Sequence, residues 1–201
     1  MKISSLALIL ALATTLPAAA QAVDDPVKAV MDTATALWSE SDSDTPPVDY
    51  FDEKNLSTLY SKSFAEAYRE AAKYPVYDEG SGPFGYDVIT NGQDGCPLKD
   101  IAIEKGAEKD GMTDVKVTFK LWTCVEDDPK MKEEVSEVHF DVINEDGKPV
   151  INDIHRMVDG KQDSLVAEMK DIVREGANPT KPEDMPEDDM APESDPAAPK
   201  P

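Results

Sequence analysis

The feature that most constrains the fold is an alternation of apolar and polar residues in the second half of the chain. It is clearest over residues 115–121, where every second residue is apolar. A period of two is the pattern of a β-strand with one buried face. Shorter stretches with the same pattern cover residues 101–104, 138–142 and 150–158. Residues 144–147 form a hairpin signal, with Gly147 where a positive φ is needed. The sequence therefore predicts an antiparallel meander.

Helical patterns precede the strands. Residues 27–38 carry an apolar stripe at i, i+3 and i+4 spacing, with Asp25 as the expected N-cap and Pro26 in the first turn. A second helical region covers residues 52–74. Ser61 and Ser63 are expected to divide it into two short helices, because serine at this spacing can cap a new turn.

A last helix is predicted over residues 164–175, after the strands. Asp163 or Ser164 is expected to cap its start, and Gly176 is expected to stop its end. Helices first, then strands and a closing helix predict an α+β fold. In this fold the helices pack on one face of a curved antiparallel sheet.

The two ends of the chain differ from its middle. Lys2 precedes an apolar run and a small-residue end at residues 20–22, which is the pattern of a cleaved secretory signal peptide. No later apolar stretch approaches the roughly 20 residues of a membrane span. Residues 176–201 hold seven prolines and seven acidic residues, which predicts a disordered tail. We therefore predict a signal peptide over residues 1–22, one α+β domain over 23–175, and a periplasmic location.

The chain is strongly acidic. Its net charge is -22, and removing the signal and the tail still leaves -18 on the predicted domain. Such a charge disfavours nucleic acid and anionic lipid as partners. It favours a basic protein, although it also serves solubility alone.

The two cysteines, Cys96 and Cys124, both follow the signal. In an oxidising compartment a pair of this kind predicts a disulfide. The chain has no C-x-x-C motif and no clustered histidines, so a redox site or a complete zinc site is not expected. No metal and no cofactor is predicted.

The weak candidates for catalysis are Asp153 and His155. Strict alternation places both on one strand face with Ile151, where an acid–histidine couple could perform general acid–base chemistry. The alternative is that they are polar residues at a solvated strand. His139 is expected to point away from the core, because Val138 lies beside it.

The glycine-rich loop over residues 77–97 is predicted to be either a lid over the core or the wall of a pocket. Gln93 and Asp94 are interpreted as structural, with Asp94 accepting backbone N–H bonds. The spacing of Asp87, Asp94 and Asp100 is not that of an EF-hand calcium loop.

Several short motifs give the chain a family resemblance. They lie at residues 50–51, 56–61, 93–94, 150–154 and 164–165. With the order of elements, they resemble the nuclear-transport-factor-2-like cone shared by ketosteroid isomerases and polyketide-cyclase-like proteins. More closely, they resemble an uncharacterised bacterial envelope family, a domain of unknown function. The family pattern has a tryptophan before Ile151 that this chain lacks. The resemblance implies a fold and a compartment but no reaction.

The sequence contains no nucleophile elbow, P-loop, zinc-protease motif or dinucleotide fingerprint. We therefore predict a non-enzymatic periplasmic binding or protein-interaction module. Its partner is either a small apolar ligand or a basic envelope protein. Two alternatives stay open: an acidic inhibitor or immunity-type protein for a basic envelope enzyme, and a small pocket enzyme of the isomerase or dehydratase type.

Overall fold

The computed structural model describes residues 21–40, 48–77, 81–158 and 160–178. The predicted signal peptide and acidic tail lie outside these ranges, except for residues 21–22 and 176–178. Among the residues described, no helix is both long and apolar enough to cross a bilayer. The elements in chain order are α1 (Asp25–Leu37), α2 (Glu53–Thr58), α3 (Lys62–Ala71), β1 (Lys99–Lys109), β2 (Met112–Lys120), α4 (Pro129–Lys132), β3 (Ser136–Glu145), β4 (Lys148–Val158), β5 (Lys161–Gln162) and α5 (Leu165–Ala177).

The strands form one open antiparallel sheet in the order β1-β2-β3-β4-β5, so the α+β class and the meander are confirmed. Tight turns join β1 to β2 and β3 to β4. Each has two central residues with positive φ, 54° and 81° at Asp110 and Gly111, and 52° and 80° at Asp146 and Gly147. Two-residue turns of this type match the right-handed twist of the strands.

The core lies between one face of the sheet and the helices. The alternation in the strands and the apolar stripes of the helices both place large apolar side chains there. The predicted apolar stripe of α1 and the predicted apolar faces of β2 and β3 pack in this core. The fully buried members are Val27, Ala34, Phe64, Ala71, Val115, Val117, Val138, Phe140, Ile151, Ile154, Leu165 and Met169.

Two serine caps act as the sequence predicts. The Ser61 hydroxyl accepts the Phe64 N–H at 3.1 Å, so a break at Ser61 separates α2 from α3. The Ser164 hydroxyl accepts the Ala167 N–H at 3.0 Å at the start of α5. Both satisfy N–H groups that the first helical turn leaves without a backbone partner.

Two predicted helix ends are wrong. Helix α1 begins at Asp25, so Asp24 is its N-cap, and the Asp25 carboxylate instead accepts the Ala22 N–H at 2.7 Å. Gly176 lies inside α5 and does not stop it. A β-carbon at Gly176 would lie 2.3 Å from the nearest atom of the Tyr74 ring, closer than van der Waals contact allows, so the glycine serves close packing.

A β-bulge in β4 overturns the predicted face of Ile151. Asp141 pairs with Asp153 while the next residue, Val142, pairs with Ile151, so Asn152 is an extra residue. The extra residue shifts the alternation by one position. Ile151 is therefore in the core, and His155 is on the opposite face of the sheet from it.

Candidate functional site

A cavity of about 480 Å³ opens at one end of the sheet, and we call it the sheet-end cavity. Strands β2 and β4 end there and β3 begins there, because neighbouring strands run antiparallel. Its walls are Ile89, Thr90, Asn91, Gly92, Leu121, Trp122, Glu134, Val135, Ser136, Glu137, Arg156 and Met157. The antiparallel topology thus brings together residues that are far apart in the sequence.

The glycine-rich loop contributes one wall of this cavity and is anchored by Asp87. One carboxylate oxygen of Asp87 accepts the N–H groups of Ile89 and Thr90, both at 2.9 Å. The other accepts the Trp38 indole N–H at 3.0 Å and the Tyr50 hydroxyl at 2.7 Å. Ile89 and Thr90 are both buried and both line the cavity, so the loop covers the core and also forms a pocket wall.

The predicted disulfide between Cys96 and Cys124 is present, with Cα atoms 5.8 Å apart. It joins the loop before β1 to the loop after β2. The Cys96 N–H also donates to the Leu121 carbonyl at 2.7 Å. The bridge therefore fixes the segment that places Leu121 and Trp122 in the cavity wall.

Arg156 is a buried cation in the wall of the cavity. Its Nε donates to Asp163 at 2.9 Å, and its terminal nitrogens donate to Glu168 at 2.6 Å, to Asp163 and to the Tyr86 hydroxyl. Tyr86 in turn donates to Glu168 at 2.7 Å. The network joins β4 and the start of α5 to the glycine-rich loop.

The charge of Arg156 is balanced inside the protein. Its side chain is 4% exposed, while those of Asp163 and Glu168 are 27% and 31% exposed. Burial alone would lower the pKa of Arg156, but bonds to these two carboxylates outweigh it and raise the pKa above its ordinary value. A fully paired guanidinium of this kind is a structural cation rather than a receptor for an anionic ligand.

Asp153 belongs to β4, and its carboxylate lies at the N-terminus of α5. Its carboxylate accepts the Ile154 N–H at 2.8 Å, the Val166 N–H at 3.0 Å and the Ser164 hydroxyl. A carboxylate at this position satisfies free N–H groups and interacts favourably with the helix dipole. These bonds give Asp153 a role in joining β4 to α5.

His155 does not hydrogen-bond to Asp153. Its Nε2 lies 3.0 Å from an oxygen of Asp141, and its Nδ1 contacts the carbonyl of Asp163. Burial lowers its pKa, but the bond to Asp141 and the one to the Asp163 carbonyl outweigh burial and raise the pKa above its ordinary value. Both ring nitrogens are occupied by partners within the protein, an arrangement that suits an ion pair better than proton transfer to a ligand.

His139 is the cross-strand neighbour of His155 on the same outer face, as alternation predicts. It lies 2.9 Å from both Asp114 and Glu137, one on each ring nitrogen, and Lys116 is its neighbour on β2. Burial lowers its pKa, but the two carboxylates outweigh it and raise the pKa. Although it faces away from the core, only 9% of the residue is exposed, because these neighbours cover it.

Gln93 and Asp94 have different positions in the loop. The Gln93 amide donates to the Gly85 carbonyl at 2.5 Å. Asp94 is exposed. The backbone N–H groups of Ile89 and Thr90 in this loop donate to the carboxylate of Asp87 instead. The turn-fixing role expected of Asp94 therefore belongs to Asp87.

Within the described ranges, no group of three or more His, Cys, Asp or Glu side chains is placed to hold a metal ion. No family model, no curated protein and no solved structure matches this chain. The resemblance to the nuclear-transport-factor-2-like cone therefore stays a proposal.

Sequence reasoning missed Arg156, Tyr86 and Glu168. The available signal for these residues was the spacing of Ile151 and Ile154. Two large apolar residues three positions apart in one strand can both face the core only if the strand contains a bulge. Counting the alternation from Ile154 places Arg156 on the core face, where a buried arginine requires carboxylate partners.

Proposed function

We propose that the protein is a non-enzymatic binding module, secreted to the periplasm, that holds a small ligand in the sheet-end cavity. The observation that carries the proposal is the cavity itself, which is walled by four separate segments. At about 480 Å³ it falls within the roughly 300–1,000 Å³ typical of small-molecule sites.

The wall exposes more polar than apolar surface, so it favours a polar ligand that also carries an apolar group. Leu121, Trp122 and Val135 supply apolar surface, while Thr90 and Ser136 supply hydroxyl groups. Arg156 contributes little attraction for an anion, because its charge is already paired.

A cone of the nuclear-transport-factor-2-like type is part of this proposal. The order of helices, meander and closing helix supports it, and so does a cavity at the end of the sheet. In such a cone the wide end of a bent sheet encloses the ligand. A solved structure with an unbent sheet would remove this part of the proposal.

One observation favours the alternative of a basic protein partner. The segment beside the cavity mouth, residues 126–134, exposes five acidic side chains, those of Glu126, Asp127, Asp128, Glu133 and Glu134. Together with the domain charge of -18, such a segment would speed encounter with a basic protein. Capture of a basic envelope protein that is lost at high salt would support this alternative over a small-molecule site.

The test of the ligand site is a fragment screen followed by amide chemical-shift mapping. The probes are small aromatic and aliphatic alcohols and amides, added to the mature domain. Shifts are expected at the amides of residues 90–92 and 121–122. Ser136→Phe, on the core face beside the cavity, should abolish them. Thr118→Phe, on the opposite face of β2, should leave them unchanged. Shifts that persist in Ser136→Phe would contradict the proposal.

Secretion is tested separately. The full chain expressed in a Gram-negative host should be released by osmotic shock, with Val23 as its N-terminal residue. Recovery of the uncleaved chain from the cytosol would contradict the proposed location.

A further inference from the structure

A second, smaller cavity of about 150 Å³ lies between α3, the residues before α2 and the glycine-rich loop. We call it the aromatic cavity, because five of its wall residues are aromatic: Tyr50, Phe51, Tyr68, Phe84 and Tyr86. Their rings are tilted, with centroids 4.5 Å apart for Phe51 and Tyr68 and 6.0 Å apart for Phe51 and Phe84. Tyr50 and Phe51 are buried, so the ring surface that reaches the cavity comes mainly from the half-buried Tyr68, Phe84 and Tyr86, and ring faces carry negative charge density.

The charged groups in the wall of the aromatic cavity are all carboxylates. They belong to Asp49 and Asp87, and none of the described wall residues is a lysine, arginine or histidine. Asp49 is exposed, and one of its oxygens accepts the Phe51 N–H at 3.0 Å. Burial, and to a lesser extent the nearby charge of Asp49, raise the pKa of Tyr68 to about 12.

We propose that the aromatic cavity binds the methylated ammonium group of an organic cation. Two carboxylates repel an anion. A hard metal ion requires about six to eight oxygen ligands, whereas Asp87 already accepts five hydrogen bonds. A methylated ammonium has a diffuse charge, needs no hydrogen-bond acceptors, and is the kind of cation that aromatic cages recognise.

One ring of the aromatic cavity already contacts a cation within the fold. The guanidinium carbon of Arg156 lies 5.0 Å from the centroid of the Tyr86 ring, inside the roughly 6 Å range of cation–π attraction. Because Asp163 and Glu168 balance the charge of Arg156, it does not cancel the field of Asp49 in the cavity.

The size of the aromatic cavity limits what enters it. About 150 Å³ is below the roughly 300–1,000 Å³ of a site for a whole drug-sized ligand, so it accepts a head group only. The rest of the ligand would extend into solvent. Free choline and the choline headgroup of a lipid both present this chemistry.

The experiment is a titration of the full mature chain with choline, followed by amide chemical shifts. The control ligand is 3,3-dimethylbutan-1-ol, a neutral molecule of nearly the same shape. Choline should shift the amides of Asp49, Tyr68 and Phe84 and bind at least about tenfold more tightly than the neutral analogue. Equal affinities, or no shifts at these amides, would overturn the proposal.

Two variants test the cavity residues. Asp49→Asn removes the charge but keeps an oxygen that can accept the Phe51 N–H, so the fold should be unchanged. It should weaken choline binding several-fold, whereas the matched control Asp32→Asn, on the exposed face of α1, should not. Tyr68→Leu should weaken binding about tenfold. If Asp49→Asn and Asp32→Asn have the same effect, the assignment is wrong, whether or not Tyr68→Leu folds.

A flotation assay distinguishes the two sources of the cation. Retention on phosphatidylcholine vesicles but not on phosphatidylethanolamine vesicles, reversed by free choline, would identify a lipid headgroup. Choline binding without vesicle retention would identify a soluble cation. Equal retention on both vesicles, unaffected by choline, would contradict recognition of a methylated ammonium. Because Ser136→Phe changes only the sheet-end cavity, it should leave choline binding intact, so the two proposals fail independently.

Discussion

Replacing Arg156 by methionine is the sharpest test of the network behind the sheet-end cavity. Methionine keeps an unbranched side chain of similar reach but removes the guanidinium that binds Asp163, Glu168 and Tyr86. The two carboxylates then face each other and the core without a cation. We expect a marked loss of stability, because uncompensated buried charge is costly.

The expected magnitude follows from the exposure of the partners. Removing one member of a buried ion pair costs about 3–5 kcal/mol. Asp163 and Glu168 are 27% and 31% exposed and can be partly hydrated, so we expect the low end, about 3 kcal/mol. For a domain of this size that corresponds to a fall in Tm of about 6–12 °C.

The assay is urea unfolding at neutral pH, with thermal unfolding as a second measure. The matched control is Arg174→Met, because Arg174 lies on α5 with its side chain 64% exposed and paired with Asp171. It should change stability by less than about 0.5 kcal/mol. Adding Glu168→Gln to Arg156→Met should recover part of the loss. If Arg156→Met costs less than about 1 kcal/mol, or if adding Glu168→Gln restores none of the lost stability, then Arg156 does not neutralise buried carboxylates.

Three further predictions concern the bridge, a glycine and the outer histidines. Replacing both bridge cysteines by alanine opens a 29-residue loop and should cost about 3–4 kcal/mol in urea unfolding; no change would contradict a structural bridge. Gly176→Ala should destabilise by about 1–3 kcal/mol despite the better helix propensity of alanine, because the methyl group meets the Tyr74 ring; a gain in Tm would show that α5 can shift. The raised pKa values of His139 and His155 add stability that is full below about pH 6.5 and is lost as pH rises through the folded-state pKa values. Replacing both by glutamine should therefore lower Tm more at pH 5 than at pH 8, and an equal effect at both would disprove the linkage.

Much of the fold follows from local pattern. The stripe of α1, the alternation in β2, the serine caps and the Asp146–Gly147 turn each depend on residues a few positions apart. Such features are set by backbone geometry and by which face is apolar, so the sequence alone is enough to predict them. The pairing of Cys96 with Cys124 needed only a count of two cysteines.

The candidate site depended on more than local pattern. Strict alternation placed Asp153 and His155 on one face with Ile151, but the bulge at Asn152 puts both on the opposite face from Ile151, where Asp153 bonds to the start of α5 and His155 lies beside Asp141. The same bulge turns Arg156 into the core. A bulge is decided by how β4 fits against β3 and the helices, which no short window of sequence contains.

The periodicity and capping of neighbouring residues are enough to predict the class of fold, the number of strands in the main meander and the starts of α3 and α5. Which side chains meet in the two cavities depends on the tertiary structure. The wall of the aromatic cavity joins residues as far apart in the chain as Asp49 and Val88, and that of the sheet-end cavity joins residues as far apart as Ile89 and Met157. Contacts at that range exist only once the antiparallel strands bring their ends to one edge of the sheet.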